Sequence, residues 1–220
     1  TYRDNYGDHL TELVQSCFDS SGLSLTKEKR VIMKSETISA LASTNIGDEI
    51  CVSIDMGGGT TDVGYVVPGM QRVGDRNNFF SFMSSIEYAG TDLMKALIKS
   101  PALADFLGDV RTDDETKLNK LSIMVRAGVV SLCKPAVAIV AKAFFEALFE
   151  YVFGILAAIA AEEQFPTGKK INVYLFGNGF KLIKVFLDRE PEEFLNGVIS
   201  SLKNAGLFSP EVFETIEIVH

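Results

Sequence analysis

The sequence predicts an α/β sandwich: a mixed sheet with helices on its faces. Three observations predict it. Residues 49–88 hold three β-rich runs separated by short glycine, proline or polar turns, the pattern of an antiparallel meander. Helical apolar spacing then fills 91–163. Two further apolar runs, 171–176 and 214–219, flank a second helical stretch.

The elements follow in order. Leu10, Leu13, Val14, Cys17 and Phe18 recur at helical spacing, and Ser21-Gly22 ends that helix. Lys29–Lys34 reads as a short strand, and Glu36–Ser43 as a short helix with Ser35 as N-cap. Glu49–Met56 is a strand that ends in an aspartate and runs at once into Gly57-Gly58-Gly59. Thr60–Val67 is a second strand, stopped by Pro68-Gly69. Polar residues 71–78 form an exposed turn before a third strand, Phe79–Tyr88. Helices are predicted over 91–99, 113–132 and 136–163. Strand 171–176 ends in Gly177-Asn178-Gly179, and helices 180–188 and 191–205 precede a final strand, 214–219.

Composition narrows the function classes. A chain of 220 residues with 47% hydrophobic and 23% charged residues is rich enough to bury a core and too apolar for disorder. Lys+Arg 21 against Asp+Glu 29 gives a net charge of −8, a poor match for a nucleic-acid backbone. The histidines, His9 and His220, and the cysteines, Cys17, Cys51 and Cys133, are widely separated, which argues against structural zinc. Unpaired cysteines of this kind point to a reducing, cytoplasmic setting. No signal peptide is visible. Ala136–Ala161 is very apolar, but Lys142, Glu146 and Glu150 place a charged stripe on one helical face. The sequence therefore predicts a helix with most of its circumference buried in protein, and no membrane insertion.

The chemistry lies in Asp55-Met-Gly57-Gly58-Gly59-Thr60-Thr61-Asp62. A strand delivers Asp55 to its C-terminal end. Three glycines permit positive φ and carry no Cβ, so successive N–H groups can converge on an anion. Thr60 and Thr61 add hydroxyls. Asp55 beside phosphates can hold Mg²⁺ through water or orient an attacking water. A P-loop is excluded because no Gly-Lys-Ser/Thr leads into a helix here.

This segment resembles the second phosphate motif of the actin-like ATPase superfamily, which includes the DnaK-type (Hsp70-like) chaperones and the bacterial actin homologues. Three more stretches are similar, in the family's order: Thr37-Ile-Ser-Ala-Leu-Ala, Tyr88-Ala-Gly90-Thr-Asp92-Leu, and Val173-Tyr-Leu-Phe-Gly177-Asn-Gly179-Phe-Lys-Leu-Ile. The resemblance implies an actin-like (ribonuclease H-like) lobe. Its sheet would be mixed and five-stranded with helices on both faces, starting with a three-stranded antiparallel meander. It covers only the C-terminal lobe of such a protein: residues 1–220 would be that lobe, with 91–134 a small helical insertion. The partner implied is an N-terminal lobe carrying the first phosphate hairpin.

By resemblance, Gly57, Gly58, Gly59, Thr60 and Thr61 cradle the β/γ-phosphates of ATP or ADP. Asp55 positions Mg²⁺ and water for hydrolysis. Asp62 buttresses the loop or holds a second ion. Gly177 and Gly179 let the backbone approach ribose and adenine, Asn178 replaces a glycine of the family's adenosine pair, and Lys181 stands near where the chaperones carry an Arg. Glu36 is one position away from the acidic residue of the chaperone pattern. The implied function is a nucleotide-binding lobe of an ATPase, the isolated lobe being inactive. The alternatives are a lobe of a filament-forming homologue whose assembly the nucleotide switches, and a degenerate, non-catalytic member. Self-assembly or a client protein is the further partner implied.

Overall fold

In the computed structural model the described residues are Ser16, 48–69, 79–108, 111–129, 134–161, 168–206 and 216–219. The expected elements at 10–20, 29–34 and 36–43 and the turn at 71–78 lie outside them, Ser16 aside.

The sheet has five strands: β1 (Ile50–Met56), β2 (Thr61–Pro68), β3 (Phe79–Ile86), β4 (Ile171–Phe176) and β5 (Ile216–Val219), in the order β3-β2-β1-β4-β5. β1, β2 and β3 form the expected antiparallel meander, and β4 and β5 add in parallel on the far side of β1. The mixed five-stranded sheet agrees with the sequence reading. β1 lies at its centre, and alternate residues of this strand build two different surfaces.

One surface carries Ile50, Val52, Ile54 and Met56 of β1 with Val63, Tyr65 and Val67 of β2 and Ile171 and Val173 of β4. All the described helices pack into this one core: α1 (Gly90–Leu97), α2 (Ala104–Leu107), α3 (Asp114–Arg126), α4 (Pro135–Ala160), α5 (Lys181–Leu187) and α6 (Pro191–Asn204). The opposite surface carries Cys51, Val66 and Tyr174 with Phe176 packed against them. The expected second helical layer, on that side, has no described helix.

Helix α4 is the central helix of the core. It buries Val137, Ala141, Phe144, Phe145, Leu148, Phe149, Val152, Phe153, Leu156 and Ile159. Phe149 stacks on Phe180 at 6.0 Å, and Phe145 meets Phe194 edge-on at 6.2 Å. Two tyrosines hold it to the segments around the sheet: Tyr65 Oη donates to Val152 O at 2.9 Å and Tyr88 Oη to Phe144 O at 3.2 Å. Burial raises the pKa of both phenols and so disfavours their ionisation, and both stay donors. Lys142 pairs with Glu146 at 2.6 Å on the outer face, as the charge spacing predicts. Among the described residues α4 is the one helix long and apolar enough to cross a membrane. It buries a face rather than most of its circumference.

Helix ends differ from the sequence reading where a local device intervenes. The helix expected to run to residue 132 stops at Arg126. Gly128 adopts φ +64°, its N–H bonds Val125 O, and Val129 N–H bonds Met124 O, the paired closure of a glycine C-terminus. At the other end Asp113 caps α3 by accepting Thr116 N–H at 2.8 Å. The third strand stops at Ile86 rather than at Tyr88, because Tyr88 and Ala89 turn into α1.

Cys51 is buried on the second surface. Burial and the Glu49 carboxylate push its thiol up to about 11. Less thiolate at a given pH means slower alkylation. Residue-resolved mass spectrometry after iodoacetamide at about pH 8 is expected to show Cys51 reacting about a hundredfold slower than an ordinary thiol. Labelling at the ordinary rate would contradict this burial.

Candidate functional site

Parallel pairing places the site. Asp55 of β1 is opposite Phe176 of β4, so the two strands end together at one edge of the sheet. The glycine turns 57–59 and 177–179 follow directly and meet there, the edge at which open α/β sheets receive ligands. On the other side of β1, Asp55 faces Asp62 of β2 across the antiparallel ladder. Both carboxylates are half-buried and share the second surface of the sheet.

The loop Gly57–Thr60 is exposed throughout. Its hydrogen bonding is one-sided. Gly57 O accepts from Gly90 N–H at 3.2 Å, Gly58 O from Thr91 N–H at 2.9 Å, and Thr60 O from Gly57 N–H at 3.0 Å. Three of the loop's carbonyls are thus engaged inside the fold. Among the described residues no hydrogen bond is formed by the N–H groups of Gly58, Gly59 or Thr60. Three engaged carbonyls beside three N–H groups that have no partner among the described residues form an arrangement able to receive an anion.

The glycines of this loop serve differently from the expectation. None of Gly57, Gly58 and Gly59 has a positive φ. A Cβ on Gly57 or Gly58 would make ordinary contacts, at 3.4 Å to Thr60 O and 3.6 Å to Thr91 Oγ1, and one on Gly59 would meet nothing within 4 Å. The backbone does not demand glycine here; the bare surface leaves room above the N–H groups.

The threonines separate. Thr60 is exposed beside the loop. Thr61 is wholly buried, and its hydroxyl donates to Tyr88 O at 2.6 Å. The sequence reading put both hydroxyls toward phosphate; the strand period turns Thr61 to the core surface instead.

Gly177 and Gly179 are glycines for an internal reason. Gly177 has φ +88°, and a Cβ there would lie 2.6 Å from Asp55 Oδ1 and closer still to Met56 O. A Cβ on Gly179 would lie 2.7 Å from Met56 O and 2.9 Å from Met56 Sδ. This turn rests on the end of β1, so Met56 occupies the space that side chains would take. Gly179 is buried, whereas Gly177, Asn178 and Lys181, the first residue of α5, are exposed.

Sequence reasoning identified the Tyr88–Asp92 turn but not its service to the loop. Gly90 is buried between the turns, with a Cβ position 3.3 Å from Leu182 Cδ1 and 3.4 Å from Gly57 O. Asp92 accepts Ala89 N–H at 3.2 Å and so closes the start of α1. An acid three residues after the turn was the signal available in the sequence.

Among the described residues no group of three or more His, Cys, Asp or Glu side chains is placed to hold a metal ion. Mg²⁺ does not require one. It keeps most of its waters and takes one or two carboxylates together with substrate phosphates. Asp55, with Asp62 opposite, fits that donor set.

No family model matches the chain, and no curated protein matches it. Among solved structures it is similar to one described as the PilM-PilN type IV pilus biogenesis complex, at 14% identity and TM-score 0.41 over 79% of this chain and 36% of that one. It is similar to the ethanolamine utilization protein EutJ from Carboxydothermus hydrogenoformans, at 17% identity and TM-score 0.37 over 76% of this chain and 47% of that one. It is also similar to the actin-like protein Alp7A, at 15% identity and TM-score 0.33 over 79% of this chain and 41% of that one. This chain thus matches less than half the length of each of the three.

Proposed function

We propose that this chain is one lobe of an actin-like nucleotide-binding domain and holds the phosphates of Mg·ATP or Mg·ADP on Gly57–Thr60. The observation that carries the reading is the loop's polarity. Three of its four carbonyls are bound from within, and three consecutive N–H groups face no partner among the described residues. The resemblance of Asp55–Asp62 to a phosphate motif supports the same assignment. So does the convergence of the two glycine turns at the ends of parallel strands.

In this reading Gly58, Gly59 and Thr60 donate N–H groups to phosphate oxygens, and the Thr60 hydroxyl adds a donor. Asp55 orients water, and with Asp62 opposite it supplies the negative charge that a hydrated Mg²⁺ balances. Bound Mg²⁺ would neutralise charge on the phosphates. The exposed Gly177, Asn178 and Lys181 provide the approach for the nucleoside. A second lobe closes the cleft from the other side. Hydrolysis and nucleotide-switched assembly both use this site; sedimentation with and without nucleotide separates them.

Gly59→Ala tests the assignment. The methyl group enters empty space at an ordinary φ, so the fold is expected to keep its melting temperature within about 2 °C. In the proposed site the same methyl group crowds a phosphate held on the neighbouring N–H groups and is expected to weaken Mg·ATP binding by about tenfold, or 1.4 kcal/mol. Thermal shift reads both, since nucleotide at a hundred times its Kd adds about 2.7 kcal/mol to the wild type. Equal shifts for the two proteins would remove Gly57–Thr60 from the phosphate site.

A further inference from the structure

We infer that Thr61 is a positioning residue, which sets the geometry of the phosphate loop without touching phosphate; the functional part of this inference rests on the nucleotide-binding reading above. Thr61 is the first residue of β2, directly after the loop, and its side chain is completely buried. Its hydroxyl donates to Tyr88 O at 2.6 Å, joining residues 27 apart in sequence. Two residues on, Gly90 and Thr91 donate N–H groups to Gly57 O and Gly58 O. Thr61 therefore closes a ring of three hydrogen bonds around the loop, at both its ends, from one short segment.

The ring explains why the loop presents N–H groups. The carbonyls of Gly57 and Gly58 stay turned to α1 only while residues 88–91 stay against the loop. Three other contacts fix that segment. The Tyr88 ring stacks on Phe144 at 4.1 Å and its hydroxyl bonds Phe144 O, while Asp92 bonds Ala89 N–H. Thr61 is the side chain that ties this anchored segment to the strand leaving the loop. Without the hydroxyl, Tyr88 O loses a donor in a part-buried place, and the loop carbonyls are released to turn outward, where they repel an anion.

The experiment compares wild type, Thr61→Ser and Thr61→Val in two measurements. In the ligand-free chain, amide hydrogen exchange of Gly57 and of residues 89–92, whose N–H groups are bonded, is expected to rise about tenfold in Thr61→Val and to stay near wild type in Thr61→Ser. Mg·ADP affinity is expected to fall about tenfold in Thr61→Val and to be restored in Thr61→Ser, while adenosine binding is unmoved. Thr61→Ala, which also lacks the hydroxyl and adds no bulk, answers both questions if the valine variant does not fold. Unchanged exchange in the variants without hydroxyl overturns the tether. Faster exchange with unchanged Mg·ADP affinity overturns the positioning role. A wild type that ignores Mg·ADP overturns the nucleotide-binding reading and the positioning role with it, while the exchange comparison still decides the tether.

Discussion

Gly177→Ala is expected to destabilise the fold by about 3 kcal/mol, from left-handed backbone strain and overpacking together. The residue sits at φ +88°, where an L side chain is strained. Its added methyl would also enter the space of Met56 O and Asp55 Oδ1. Neither obstacle is the end of a flexible side chain that can swing away: one is the backbone of the central strand and the other a short carboxylate beside it. Gly179→Ala meets Met56 as well, but partly through its thioether, which can move, so a smaller loss is expected. Urea midpoints of the two variants and of Gly59→Ala should rank in that order of loss, with Gly59→Ala near wild type. A midpoint for Gly177→Ala equal to wild type would mean that the β4–α5 turn does not rest on β1 as described.

The second large effect is on turnover. On the proposed reading, in a protein that joins this lobe to a second one, Asp55→Ala and Asp55→Asn are each expected to reduce ATP hydrolysis by about a hundredfold or more, the usual cost of losing a carboxylate that orients water in phosphoryl transfer. Asp55 and Asp62 are directly opposed in an antiparallel ladder, and removing one carboxylate relieves the repulsion of like charges. Asparagine separates charge from shape: it fills the same space next to Gly177 and leaves the backbone undisturbed. Turnover at the wild-type rate in both variants would remove Asp55 from the chemistry.

Much of the sheet was legible because its signals are local. The period-two pattern of Ile50–Met56 and Thr61–Pro68, the proline at 68 and the apolar run 171–176 mark their strands within a residue or so. The long helix was equally plain from its length and apolar spacing. Helix ends were less so. Arg126 closes α3 because Gly128 can adopt φ +64°, and a glycine within a helical pattern does not announce which conformation it takes. The site was legible as a motif and illegible as geometry. The glycine run at 57–59 marked the loop, yet the two glycines whose conformation and packing the fold requires are 177 and 179, set by a contact across 120 residues. The role of Thr61 was hidden for the same reason, since its partner Tyr88 is adjacent only once β3 has returned along β2.

The two tyrosine hydroxyls also settle how the longest helix can move. They pin α4 at Phe144 and Val152, eight residues apart, or about 12 Å along the axis. A rod held at one point can pivot; a rod held at two can neither slide nor roll without breaking a bond. One pin comes from inside the meander and the other from the segment that grips the glycine loop. A displacement at the loop would reach α4 at one pin while the other stays with the sheet, and would tend to tilt the rod about Val152. Motion of that kind grows with distance from the pivot, and the start of α4 at Pro135 lies beyond Phe144 on the same side. The exposed Ile139 lies on that far arm, between Pro135 and Phe144, and would move further than the pin at Phe144 itself.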